Sequence, residues 1–352
     1  MSGVFWEQST VERLLRHAVR HGRIARCYLF AGPDGVGKWP AALWLASALL
    51  ESPDTPRETS RVWTGTHPDW HVLFPVTKDH EREDIEAVWE AKRTDPFAVV
   101  RFAKRPYLTI DRVRETIDRL HMTAVEGRAK VVLIGGAEQM AHDTQTILLK
   151  SIEEPPPDTY FILSSADPGR LLPTVLSRCQ SVRFAPVDPA AVAARLITAR
   201  GLDPEEAETV AEICGGGWGQ ALRLCDPSLA QWRADMVSLW KAAFRSKTHE
   251  LTTTIESFFP AGSVKLRLDQ ALLAFDVWGA LLKRECAGGS VKTGSRGQLA
   301  DAQAAWECWQ ILQRGRAALY VNVAARMTVV ATFLALRRRL GAGEPRVSGQ
   351  GP

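Results

Sequence analysis

AGPDGVGKWPAAL, residues 31–43, decides how the rest of the chain is read. Gly32, Gly35, Gly37 and Lys38 fall into the GxxxxGK spacing of a phosphate-binding loop. Glycines let backbone amides turn inward around phosphate oxygens, the lysine neutralises charge, and the helix that follows adds its positive end. The apolar run CYLF just before and the apolar stretch AALWLASALL just after supply the strand, loop and helix that the motif requires. Trp39 breaks the pattern. A hydrolysing loop carries Ser or Thr there, whose hydroxyl holds the magnesium ion bridging the phosphates, and an indole cannot do this.

Working outward, VVLIGG (131–136), TYFILSSADP (159–168) and VRFAPV (182–187) are short apolar runs that predict further buried strands. Helical spacing predicts helices over TVERLLRHAVRHG (10–22), LTIDRVRETIDRLHM (108–122) and QTILLKSIEE (145–154). The last is stopped by Pro155, Pro156 and Pro157. In the second, Ile110, Val113, Ile117 and Leu120 share one face. Apolar strands alternating with helices predict an α/β domain with a parallel sheet covered on both faces. Residues 51–106 are less regular, and the charged run KDHEREDIEAVWEAKR reads as a solvated helix or an insertion.

From Asp188 the chain turns almost wholly helical. The expected organisation is an α/β phosphate-loop domain over 1–186, a helical lid over 187–226, a helical C-terminal domain over 227–342 and a frayed tail over 343–352. At 352 residues there is length for two or three cores, and 45% hydrophobic with 24% charged residues leaves no case for extensive disorder. The net charge of +4 permits contact with a nucleic-acid backbone without demanding it. Cys27, Cys179, Cys214, Cys225, Cys286 and Cys308 form no CxxC pair, which argues against a zinc site and for packed, reduced thiols. The N-terminus lacks the apolar run of a signal peptide, and no run elsewhere reaches membrane-spanning length uncharged, so a cytoplasmic protein without membrane contact is expected.

The catalytic half of the motif is missing elsewhere too. The strand that would end in the acidic pair of a Walker B motif ends in Gly135 and Gly136, where Asp and Glu would hold the metal and activate water. Glu138, two positions on, reads as a solvated or helix-capping residue. The helical segment WGQAL has no arginine where a phosphate sensor would stand.

LFAGPDGVGK together with QTILLKSIEEPPPDTYFILSSADPGRLLPTVLSRCQSVRF resembles the clamp loader subunits of bacterial DNA polymerase III, within the AAA+ proteins, and among them the delta prime type. The second block covers the central third of the chain and is the specific one. The resemblance implies an AAA+ module, a helical lid and an all-α collar, with YVNVAAR similar to a collar helix. It implies an arginine finger at Arg178, in the Ser177-Arg178-Cys179 motif, acting in trans on ATP held by a neighbour. It implies partners: delta and gamma/tau subunits, the sliding clamp, and primer–template DNA reached through the complex. The chain's own loop is expected to be empty or idle, with no cofactor required. Many relatives carry a four-cysteine zinc module ahead of a stretch like THPDWHVL; here that segment has no cysteine, so zinc is not expected and His67 reads as a loop residue. Ser164 and Ser165 stand at the sensor 1 position, as sensor residues or as strand-end hydrogen-bond partners. Lys104, Arg105, Arg112 and Arg114 either line a ring and touch phosphates or form a solvated helix face. Two rival functions are an active gamma/tau-like ATPase, which the missing metal ligands disfavour, and a P-loop kinase, which would have no use for LLPTVLSRCQ.

Overall fold

The computed structural model describes residues 3–78, 80–102, 106–126, 129–245, 268–287, 302–319 and 324–339. Among them, five parallel strands form one sheet: β1 (Cys27–Ala31), β2 (Trp70–Leu73), β3 (Lys130–Ile134), β4 (Thr159–Ser165) and β5 (Gln180–Arg183), in the order β2-β3-β4-β1-β5. Uninterrupted apolar runs such as Val131–Ile134 suit strands buried on both faces. Alternation assigns the two faces. Tyr28, Phe30, Val131 and Leu133 point into one apolar cluster, and Leu29, Val132, Ile134 and Leu163 into the other.

The first cluster is covered by α1 (Ser9–Arg20) and α2 (Lys38–Leu50). A short α3 (Arg61–Thr64) and α4 (Glu81–Thr94) follow, then α5 (Ile110–Leu120), α6 (His142–Glu153) and α7 (Pro173–Leu176), which supply the second cluster. Val113 and Leu120 of the expected α5 face are fully buried. β2 is a finding: sequence periodicity left residues 51–106 irregular, but four residues pair with β3 from Trp70↔Val131 to Leu73↔Ile134 and complete the sheet. The expected strand over 182–187 starts two residues earlier and ends at Arg183, because Tyr28–Ala31 pairs with Gln180–Arg183.

Beyond the sheet come α8 (Pro189–Arg200), α9 (Pro204–Ile213), α10 (Trp218–Leu224) and α11 (Pro227–Arg245). The chain divides into two compact units, residues 1–195 with 216–223, and residues 196–215 with 224–352. The segment 187–226 thus contributes to both. In the second unit, helices span Leu268–Ala287, Ala302–Ala318 and Ala325–Arg339. Trp278 is fully buried there, 5.2 Å from the Phe333 ring, and its indole N–H donates to the Met236 carbonyl at 3.2 Å. Most of YVNVAAR and the whole 343–352 tail lie outside the described residues. No helix among the described residues is long and apolar enough to cross a membrane.

Candidate functional site

β1 is an interior strand between β4 and β5, and its carboxyl end, the end at which open α/β sheets bind ligands, runs straight into the glycine loop. Gly32 N–H donates to the Ser165 carbonyl at 3.1 Å, which ties the loop to the end of β4. Gly35 (φ 77°) and Gly37 (φ 110°) take left-handed backbone that a side chain would strain, and Gly37 starts α2. Lys38 is buried, and burial lowers its pKa. Its ammonium is directed back into the loop, donating to the Gly32 carbonyl and to the Pro33 carbonyl at 2.6 Å, with Asp34 Oδ1 at 3.9 Å.

The loop is also covered by its own unit. Gly35's carbonyl accepts from Gly219 N–H at 3.2 Å. A Cβ on Gly219 would stand 1.7 Å from the Phe97 carbonyl oxygen, so only glycine lets α10 and the Phe97 segment come this close. The Phe97 ring lies against Gly37, and Arg101 pairs with Asp34 at 2.8 Å. Beside this cover, Arg195 is sandwiched between Trp6 and Trp218, 4.3 and 4.2 Å from the ring centroids. Trp218 opens α10, which contains WGQAL and carries Arg223 in its last turn. Sequence reasoning missed Phe97, Arg101, Arg195 and Gly219; the glycine run 215–217 and Gly219 were its faint signal.

Trp39 does not project into the loop. Its indole is buried, edge-on to Trp89 (5.8 Å) and Phe74 (6.3 Å), with ring carbon Cζ3 3.7 Å from where a Cβ on Gly135 would lie. The two departures from the hydrolysing pattern therefore touch: the indole fills the space at the end of β3. Lys92 of α4 holds its ammonium 5.0 Å over the indole and donates to the Ala98 carbonyl at 2.5 Å. Desolvation pushes the Lys92 pKa down to about 8. The expected solvated helix is thus anchored by one of its charges.

Glu138 is a correction. It sits in a 3-10 turn, Ala137–Gln139, that turns its carboxyl inward rather than to solvent. Oε2 is buried without a hydrogen-bond partner among the described residues, and burial raises the pKa, against hydrogen bonding from Ser165 and the charge of Lys38. Ser165 also accepts from Asp167 N–H at 3.1 Å, a strand-end role. Ser164 is buried opposite Phe30 in the ladder.

Arg178 lies elsewhere. It follows α7 in a turn that leads to the amino end of β5, with the Ser177 hydroxyl donating to the Thr174 carbonyl at 3.0 Å. Its guanidinium donates to the Thr174 carbonyl (3.0 Å) and the Ser177 hydroxyl (3.2 Å) and pairs with Glu153 at 2.6 Å. Gln180 is level with Tyr28, so Arg178 and Cys179 are at the amino edge of the sheet, whereas Gly32 leaves its carboxyl edge. Five residues of strand separate those edges, about 16 Å at roughly 3.3 Å per residue. The structure therefore brings Gly32, Gly35, Gly37, Lys38 and Ser165 together and keeps Ser177, Arg178 and Cys179 apart from them. Glu153, the partner of Arg178, was legible only as part of IEEPPP.

Of the other candidates, Arg112 and His67 are committed within the fold. Arg112 donates to the Phe74 carbonyl (2.9 Å) and pairs with Glu81 (2.9 Å), so its guanidinium is committed within the fold. Arg114 is exposed beside Asp111, and Lys104 and Arg105 lie outside the described residues. His67 is buried, its Nδ1 accepting from Asp69 N–H at 3.1 Å and its Nε2 3.4 Å from Glu126. Among the described residues no cluster of three metal-ligating side chains occurs.

The family described as "DNA polymerase III, delta subunit" matches residues 7–188, more than half of the chain. The chain belongs to this family. This delta-prime-like chain is 29% identical over 279 residues to the DNA polymerase III subunit delta' of Bacillus subtilis (strain 168), covering 76% of each. It is 34% identical over 242 residues to the delta' subunit of Pseudomonas aeruginosa PAO1, covering 66% of this chain and 64% of that one. To the tau subunit of Bacillus subtilis it is 25% identical over 229 residues, 63% of this chain and 37% of the other.

Proposed function

We propose that this chain is the non-hydrolysing, delta-prime-like subunit of a clamp loader. It assembles with delta and gamma/tau subunits in the cytoplasm, helps to open the sliding clamp and seat it on primed DNA, and presents Arg178 to ATP bound by a neighbouring subunit. The observation that carries this reading is the division of labour across the sheet. The loop at the carboxyl edge is satisfied from within: Lys38 is held by loop carbonyls and Asp34 by Arg101. Trp39 and Gly135 leave no hydroxyl and no carboxylate where a magnesium ion would need them. The arginine is at the opposite edge, about 16 Å along the strands, too far to serve its own loop and exposed enough to serve another. On this reading the chain requires neither nucleotide nor zinc.

Two assays test it. The purified chain should show no magnesium-dependent ATP hydrolysis above that of Lys38→Ala; turnover abolished by that substitution would overturn the silent-subunit reading. In a reconstituted complex, Arg178→Ala should fold and assemble normally while slowing clamp-stimulated hydrolysis. An arginine finger contributes about 10³-fold or more at the site it serves, so the complex should lose at least that one site's turnover. Unchanged hydrolysis and loading would remove the finger assignment.

One observation favours the gamma/tau-like alternative: the inward carboxyl of Glu138 near Lys38. If it held a metal, Glu138→Gln would abolish magnesium-dependent nucleotide binding measured by calorimetry. On the reading proposed here, neither protein binds.

A further inference from the structure

Cys27 opens β1 and Cys179 immediately precedes β5. These strands run parallel with Tyr28 opposite Gln180, so the two cysteines face each other one residue before the ladder begins. Neighbouring strands lie about 4.8 Å apart. That spacing falls within the roughly 4.4–6.8 Å between Cα atoms that a disulfide tolerates. Both thiols are free and their Sγ atoms are 3.1 Å apart. They differ in surroundings. Cys27 is buried within the second apolar cluster, whereas Cys179 is half-buried at the edge of the sheet, directly after the exposed Arg178.

We propose that Cys27 and Cys179 form a covalent modification site: a dithiol that reacts with small disulfides and closes to an internal disulfide. Cys179 is the attacking sulfur. The hydrogen bond it receives from Cys27 lowers its pKa, while that bond and burial raise the pKa of Cys27, so the proton stays on Cys27. The Cys179 thiolate attacks one sulfur of a low-molecular-weight disulfide, forming a mixed disulfide and releasing one thiolate. Cys27 then gives its proton to the departing thiolate of the small molecule as its sulfur attacks Cys179 Sγ. The protein disulfide forms and the second small thiol leaves. Two protein thiols are oxidised, and one small disulfide is reduced to two thiols. The bond joins the amino ends of β1 and β5 at the turn that carries Arg178. The chemistry does not rest on the role proposed for that arginine.

The test uses the reduced full chain, glutathione disulfide as the probe, thiol titration under denaturing conditions and peptide mass mapping. The exposed Cys286 serves as internal control. The expected product is a Cys27–Cys179 cross-link, two hydrogens lighter than the reduced pair and reversed by dithiothreitol. Cys27→Ser, or Cys27→Ala if the serine variant folds poorly, should instead trap glutathione on Cys179. Cys179→Ser should leave Cys27 unmodified. The proposal is overturned if Cys27 and Cys179 both remain free when Cys286 is fully modified, or if wild-type chain accumulates the Cys179 adduct without the cross-link.

Discussion

The two edges of the sheet hold their charged groups differently. At the carboxyl edge, the groups that would meet nucleotide meet protein: Lys38 meets its own loop, Gly35 meets Gly219, and Trp39 meets Phe74 and Trp89. At the amino edge, Arg178 is exposed and held by a surface carboxylate, Glu153. Surface ion pairs are weak, on the order of 0–1 kcal/mol, so Arg178 is held loosely where Lys38 is held firmly. On the function proposed above, the loop persists as architecture while a short surface turn carries the chemistry.

Substitutions at the two edges should separate stability from function. Trp39→Ala should have the largest effect on folding, a loss of about 3–5 kcal/mol, because it empties a buried site lined by rings. Chemical denaturation of the purified chain checks this. Arg178→Ala in the same assay should change stability by less than about 1 kcal/mol. A comparable loss in both would erase the contrast between the edges.

Gly219→Ala comes next. Its methyl group would collide with the Phe97 carbonyl, and overpacking of this kind costs about 1–3 kcal/mol. Limited proteolysis within residues 95–102 should accelerate in this variant. An unchanged cleavage rate would mean that α10 and the Phe97 segment do not hold the loop closed.

The smallest effect is a pH dependence from Lys92. Its folded pKa, about 8, lies below the ordinary 10.5. Between those values the unfolded chain binds a proton that the folded chain has released, so the contribution of Lys92 to stability rises with pH across that window. Below about pH 8 both states are protonated and the cost of burying the charge is fully present. Comparing urea midpoints of wild type and Lys92→Met from pH 7 to 10.5 should show wild type gaining on the variant as pH rises. Parallel curves would mean that the ammonium over Trp39 is hydrated.

Much of the first unit was legible because its signals are local. CYLFA and VVLI are continuous apolar runs, and AALWLASALL is apolar on nearly every side, as a helix enclosed by the fold must be. β2 was not, because a four-residue strand between Pro68-Asp69 and Phe74-Pro75 has no length in which a period can register. Lys92 hid inside a charged run that looked solvated, and Glu138 hid because the direction of a 3-10 turn after a strand is not written in residue types.

By itself, then, the sequence determined the glycine loop, the parallel α/β core, the presence of Trp at position 39 and of glycines at 135 and 136, and the Ser177-Arg178-Cys179 motif. These depend on residue identity and short-range spacing. Only the tertiary structure decided that Trp39 and Gly135 fill one space, that Phe97, Arg101 and Gly219 close over the loop, and that Cys27 meets Cys179. Such contacts join residues far apart in the chain, and which of them form depends on how helices and strands from distant segments pack against one another.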